Sequence, residues 1–180
     1  MLLSYQDCIK KFGSDYRIKN ELANETLFQK EKGIYSTSRN PSEIDVIMYK
    51  FPHAVCTGKS AFYYLSLSDV IPDRYYLATK RTDSRIKDSR ICQSFLTEEI
   101  FDHGIIELHR NSSSIRVYSP ERMLIELMRF KAILSMDYYK EIIHNYRQRI
   151  YEMDFSLVED YAALFRSGPR LLKQIQAEVL

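Results

Sequence analysis

Tryptophan is absent from the 180 residues, and cysteine occurs only three times. The thiols Cys8, Cys56 and Cys92 are odd in number and far apart, with no C-x-x-C pair. That argues against a disulfide framework and a zinc finger, and fits reduced, buried thiols in a cytoplasmic protein. No apolar run approaches the ~20 residues that a membrane span needs. Met1-Leu2-Leu3 passes directly into polar Ser4-Tyr5-Gln6-Asp7, unlike a secretory leader. An excess of one charge is also missing: 26 Lys and Arg face 24 Asp and Glu, a net +2. Any nucleic-acid surface must come from uneven distribution of charge, not from bulk basicity. There is no internal repeat and no low-complexity tract.

Catalytic constellations are incomplete. Thr57-Gly58-Lys59-Ser60 imitates the end of a phosphate-binding loop, but the glycine needed five residues before Gly58 is His53. Gly13-Ser14 and Glu43-Ile44-Asp45 supply pieces of a nucleotidyltransferase site. Their separation is too long, and helical periodicity makes residues 43 and 45 diverge by about 200°. Pro72-Asp73 starts a metal-dependent nuclease pattern, yet Leu77-Ala78-Thr79-Lys80 lacks its acid. His53, His103, His109 and His144 lack ligand spacing, and no G-x-S-x-G occurs. The expectation is a non-enzymatic protein with no metal and no cofactor.

What is present is enough apolar material for a packed globular chain, 45% of residues, with 14 tyrosines. The pattern predicts an α/β (α+β) fold: a small N-terminal winged helix-turn-helix, then a mixed α/β domain ending in a helical bundle. The expected domains are 1–40 for the head and 41–180 for the body, with C-terminal helices from about residue 119. In the head, Tyr5 to Phe12 reads as a helix closed by Gly13. Ser14 caps a second helix running to about Ala23. Leu27 to Tyr35 reads as a two-stranded wing.

Ser38 to Ser42 is the expected linker. Glu43 to Phe51 then has helical period, Ala54 to Thr57 is a short strand, and Gly58 to Leu67 a helix. Arg74 to Thr79 and Ile91 to Phe95 read as strands. Gly104 to His109 and Ser114 to Tyr118 form a hairpin about Arg110-Asn111-Ser112-Ser113. Ser119-Pro120 opens a helix. Further helices are expected near Asp137 to Met153, after a capping box Ser156-x-x-Glu159, and from Gly168-Pro169.

The second helix is the candidate reading helix. Ser14, Tyr16, Arg17 and Asn20 are of types that address base edges, Arg to guanine and Asn to adenine. Lys10, Lys11, Lys19, Lys30 and Lys32 are candidate phosphate contacts. Asp7, Asp15, Glu21, Glu25 and Glu31 nearly balance them, which equally suits a small helical lid with solvated lysines. The densest basic run, Lys80, Arg81, Arg85, Lys87 and Arg90, offers a second basic surface, tempered by Asp83 and Asp88. Arg122, Arg129, Lys131, Lys140, Arg147 and Arg149 read as ordinary helix-surface cations with acidic neighbours.

An ordered series of segments then carries a resemblance. It runs Glu31-Lys32-Gly33-Ile34-Tyr35, Phe51-Pro52-His53-Ala54-Val55, Ser60 to Leu65, and Ser68-Asp69-Val70-Ile71-Pro72. Tyr75 to Thr79, Glu121 to Leu127 and Tyr138-Tyr139-Lys140-Glu141 follow. Over nearly its whole length the chain resembles Firmicutes members of the AbiEi-type antitoxins of type IV, abortive-infection toxin–antitoxin systems. The resemblance implies a winged helix-turn-helix that binds inverted repeats in its own promoter and represses transcription. It also implies a C-terminal domain that counters a nucleotidyltransferase-type toxin, without a stable complex being required. Carried over, the reading helix is Ser14 to Ala23 and the wing Leu27 to Tyr35. The alternative is a protein-interaction antidote without sequence-specific DNA binding. One departure stands out: family heads carry a further helix before the two seen here. Either Glu43 to Phe51 substitutes for it, or the head is trimmed.

Overall fold

The computed structural model describes residues 1–110 and 113–180; Asn111 and Ser112, in the expected hairpin turn, lie outside the described residues. The architecture is mixed α/β, with one three-stranded and one five-stranded sheet among the described residues. The chain divides into two compact units, Met1–His53 with Leu108–Ile115, and Ala54–Glu107 with Arg116–Leu180.

The first unit begins with β1 (Leu2–Ser4), then α1 (Tyr5–Phe12) and α2 (Asp15–Ala23). A hairpin follows, β2 (Phe28–Glu31) and β3 (Ile34–Ser36), and then α3 (Glu43–Lys50). Each start has a local cause. The Ser4 hydroxyl accepts from the Asp7 amide at 3.1 Å while the Asp7 carboxylate accepts from the Ser4 amide at 3.0 Å, a capping box. Gly13, at φ 85°, ends α1 in the left-handed region that its missing side chain makes accessible. Ser14 then caps α2, accepting from the Arg17 amide at 3.3 Å.

The sequence reading missed β1. It pairs antiparallel with β3, Leu3 opposite Tyr35, and so completes a sheet of order β1-β3-β2. A three-residue strand shows no periodicity of its own; only its partner defines it. The small core joins Leu3, Cys8, Ile18, Leu27 and Tyr35, with Ile9, Phe12 and Leu22 at its margin. Helix α3 belongs to this first unit, beyond the boundary expected near residue 40.

The second unit holds β4 (Val55–Cys56), α4 (Gly58–Tyr64), β5 (Tyr75–Lys80), β6 (Ile91–Leu96) and a short helix α5 (Glu98–Phe101). The strands β7 (Ile105–Arg110) and β8 (Ser113–Tyr118) complete a sheet of order β6-β5-β4-β8-β7. It is mixed: β4 runs antiparallel to β5 and parallel to β8, and β5 runs parallel to β6.

The helices are α6 (Pro120–Phe130), α7 (Met136–Gln148), α8 (Phe155–Ala163) and α9 (Gly168–Glu178). Ser119 caps α6 with proline at its first turn, as its sequence predicts. Every residue from Glu121 to Met128 is buried, which makes α6 the axis of the bundle. The expected capping box at Ser156 is not formed. Asp154 caps α8 instead, accepting from the Ser156 and Leu157 amides, and Ser156 lies inside the helix. At Gly168 a Cβ would stand 2.4 Å from the Ala162 carbonyl oxygen, so only glycine admits this close approach of α9 to α8.

Arg122 is also corrected. It is not a surface cation: its side chain is fully buried, 2.7 Å from Glu126, with its guanidinium over the Tyr118 and Phe165 rings. Burial lowers its pKa and Glu126 works the other way.

Candidate nucleic-acid interface

The outer surface of α2 follows from simple helix geometry. Ile18 is buried and Leu22 half-buried, two positions on one side of the helix. Tyr16, Arg17, Lys19 and Asn20 then fall within an arc of roughly 160° on the other side. All four are exposed, Tyr16 at 73%.

The remaining expected residues separate by what already binds them. The Ser14 hydroxyl is engaged as the cap of α2, so its first role is to start the helix. Lys19 faces Asp15 at 3.8 Å, an exposed pair of little energetic weight. Asp15 also accepts from the Tyr5 hydroxyl at 3.1 Å, which raises the Tyr5 pKa. On the hairpin, Lys30 donates to the Arg39 carbonyl and lies over the Phe28 ring, so it is held against the hairpin. Lys32 sits exposed at the turn, beside Gly33 at φ 80°. Lys10 and Lys11 are exposed on α1, Lys11 over the Phe12 ring. The exposed, weakly committed set is Tyr16, Arg17, Lys19, Asn20, Lys32, Lys10 and Lys11.

The head is braced by α3. Tyr49 donates to the Asp7 carboxylate at 3.2 Å, and Lys50 pairs with Glu31 of the hairpin at 2.6 Å. Sequence reasoning offered this helix as a substitute brace but supplied no contact for it. Tyr49 and Lys50 are exposed, so no hydrophobic period marks them.

The second basic run is only partly a cationic surface. Lys80, at the end of β5, is bound by Glu98 and Asp102, each at 2.7 Å, and these hydrogen bonds raise its pKa. Arg90 is clamped by Asp88, with its Nε 3.0 Å from one carboxylate oxygen and a terminal nitrogen 2.6 Å from the other. Those two cations are therefore neutralised within the fold. Arg81, Arg85 and Lys87 remain exposed.

The fragments of catalytic motifs have structural uses. The Ser60 hydroxyl accepts from the Tyr76 amide at 2.8 Å, and Lys59 faces Asp73 at 3.9 Å, so Thr57-Gly58-Lys59-Ser60 joins α4 to β5. Asp73 accepts from the Tyr76 hydroxyl at 3.0 Å. Glu43 and Asp45 lie in the first turn of α3. Among the described residues, no group of three or more His, Cys, Asp and Glu is placed to hold a metal ion. No helix among them is long and apolar enough to cross a membrane.

No family model matches the chain, and no curated protein matches it significantly. Among solved structures it is similar to the crystal structure of RV2827C protein from Mycobacterium tuberculosis. The two share 12% identity and a TM-score of 0.61, over 99% of this chain and 75% of that one. At that identity the likeness concerns the fold, and a mixed α/β fold of this arrangement is what the chain shares with it.

Proposed function

We propose that the chain is a non-enzymatic DNA-binding regulator, the antitoxin and autorepressor of a type IV toxin–antitoxin operon. In this reading the first unit is a winged helix-turn-helix. Helix α2 enters the major groove of inverted repeats in the operon's own promoter, and Lys32 at the wing turn reaches a neighbouring phosphate. The body acts against a nucleotidyltransferase-type toxin in the cytoplasm, and needs neither cofactor nor metal.

The observation that carries the reading is the outward set Tyr16, Arg17 and Asn20 on a capped helix, followed by a two-stranded wing. Arg and Asn make two-point contacts with guanine and adenine, and Lys10, Lys11 and Lys19 lie near enough in sequence to hold flanking phosphates. The brace from Tyr49 and Lys50 supports it, because a reading helix needs a rigid mount.

The test is binding of the full chain to the inverted repeat upstream of its own gene, measured against unrelated duplex from 50 to 200 mM salt. The expected result is preference for the repeat, with log affinity falling about 0.9 per phosphate contact as log salt rises. Equal affinity for both duplexes at every salt concentration overturns it. One observation favours a second reading, a protein-interaction antidote: Asp15 and the engaged Lys30 reduce the positive field of the head. A pull-down with the neighbouring gene's product, run beside the DNA assay, separates the two.

A further inference from the structure

Strand β6 lies at one margin of the five-stranded sheet and pairs only with β5 among the described residues. Its sequence, Ile91-Cys92-Gln93-Ser94-Phe95-Leu96, contains no charge and no proline. Edge strands ordinarily carry such residues to prevent another chain from adding to the sheet. This edge lacks that protection along its own length.

The charges near it lie in the neighbouring segment, where Arg81, Arg85, Lys87 and Arg90 outnumber Asp83 and Asp88. The connection 81–90 leads from β5 to its parallel neighbour β6. It is held in place by Gln93, whose amide donates to the Thr79 hydroxyl at 2.7 Å and to the Ser84 carbonyl at 3.2 Å. The Gln93 carbonyl oxygen accepts from the Ile86 amide at 2.8 Å. Asp83 closes the start of the connection, accepting from the Lys80 amide at 2.9 Å. The connection is thus ordered in advance, and binding beside it would cost little chain entropy.

Between this connection and β6 lies an open cleft of about 430 Å³, lined by Arg85, Ile86, Ser89, Ile91 and Phe95 among others. Phe95 is 43% exposed. Two polar lining groups are already used, Gln93 by the connection and Asp88 by Arg90. The cations divide likewise. Lys80 and Arg90 have carboxylate partners within the fold, whereas Arg81, Arg85 and Lys87 are exposed with none among the described residues.

We propose that β6 is a docking edge for an extended acidic segment of a partner protein, which adds to the sheet as a further strand. Main-chain hydrogen bonds to β6 supply the register. Alternate side chains of the segment enter the cleft beside Ile91 and Phe95, and its carboxylates face Arg81, Arg85 and Lys87. A second copy of this chain is disfavoured at the same edge, because pairing β6 with itself brings the two cationic connections together. The exposed ring of Phe95 also suits a base of single-stranded nucleic acid, but the continuous open backbone of β6 matches a peptide better.

The test uses the full chain and a blocked hexapeptide alternating glutamate and valine, about 20 Å when extended and so the length of β6. A lysine–valine peptide is the control. The expected result is salt-sensitive binding of the acidic peptide alone, with slowed amide hydrogen exchange confined to Cys92–Leu96. Joint Arg81→Glu, Arg85→Glu and Lys87→Glu should weaken it at least tenfold with an unchanged circular dichroism spectrum, whereas Arg17→Ala should leave it unchanged. Three results overturn the proposal: no protection of β6 at millimolar peptide, equal binding of the lysine–valine peptide, or β6 protection by self-association. A ten-residue oligothymidine that displaces the peptide and perturbs Phe95 also overturns it, in favour of a nucleic-acid surface.

Discussion

The Tyr49 hydroxyl, one residue before the end of α3, donates to the Asp7 carboxylate of the α1 capping box at 3.2 Å. One carboxylate thereby starts a helix and receives the brace. Removing the hydroxyl with Tyr49→Phe should cost about 0.5–1 kcal/mol, the lower half of the range for a hydrogen bond, because the site is exposed. Urea unfolding followed by amide signals of the first unit measures it. An unchanged midpoint would remove Tyr49 from the account of how the head is held.

Asp7 also makes the head sensitive to acid. The Ser4 hydroxyl, then the Ser4 amide, and also Tyr49 hold its carboxyl below the ordinary value of 3.8. A carboxyl depressed in the folded state stabilises above its unfolded pKa, and that stabilisation is lost as pH falls through the folded value. The α1 helix should therefore weaken below about pH 4. Asp7→Asn should flatten this dependence. The readout is amide exchange of Cys8 to Phe12 against pH.

At the proposed DNA surface, Arg17→Ala should reduce promoter affinity by about 1–3 kcal/mol and relax preference at one base position. Lys32→Ala should weaken all duplexes alike and lower the salt slope by about one. Titrations on matched and mutated repeats distinguish a base contact from a phosphate contact. Equal loss on every sequence would reassign Arg17 to the backbone.

In the bundle, Glu126 accepts from buried Arg122 at 2.7 Å and from Arg129 at 2.6 Å. Glu126→Leu leaves the Arg122 cation buried without its carboxylate, and should cost about 3–5 kcal/mol. The double change Arg122→Met with Glu126→Leu should recover most of this, since it removes both charges. Thermal unfolding of the wild type and the two variants decides the matter; a double variant no better than the single one would show that the pair does more than neutralise itself.

Much of the chain is legible in order. Ser4, Ser14 and Ser119 start helices by satisfying amides within three residues, and Gly13 ends one through its own φ. These are local effects, so the sequence by itself determined α1, α2, the hairpin and α6 nearly to the residue. It also determined which side of α2 is apolar, because Ile18 and Leu22 recur at helical period.

Tertiary structure decided what depends on a distant partner. Leu2–Ser4 is a strand only because β3 lies beside it. Arg122, read from sequence as a surface cation, is buried because Glu126, Tyr118 and Phe165 enclose it. Lys80 and Arg90 look like free cations in a basic run until Glu98, Asp102 and Asp88 are seen against them. The sequence states which charges exist; only the fold states which remain uncompensated, because the field at a surface depends on distances the chain sets across many residues.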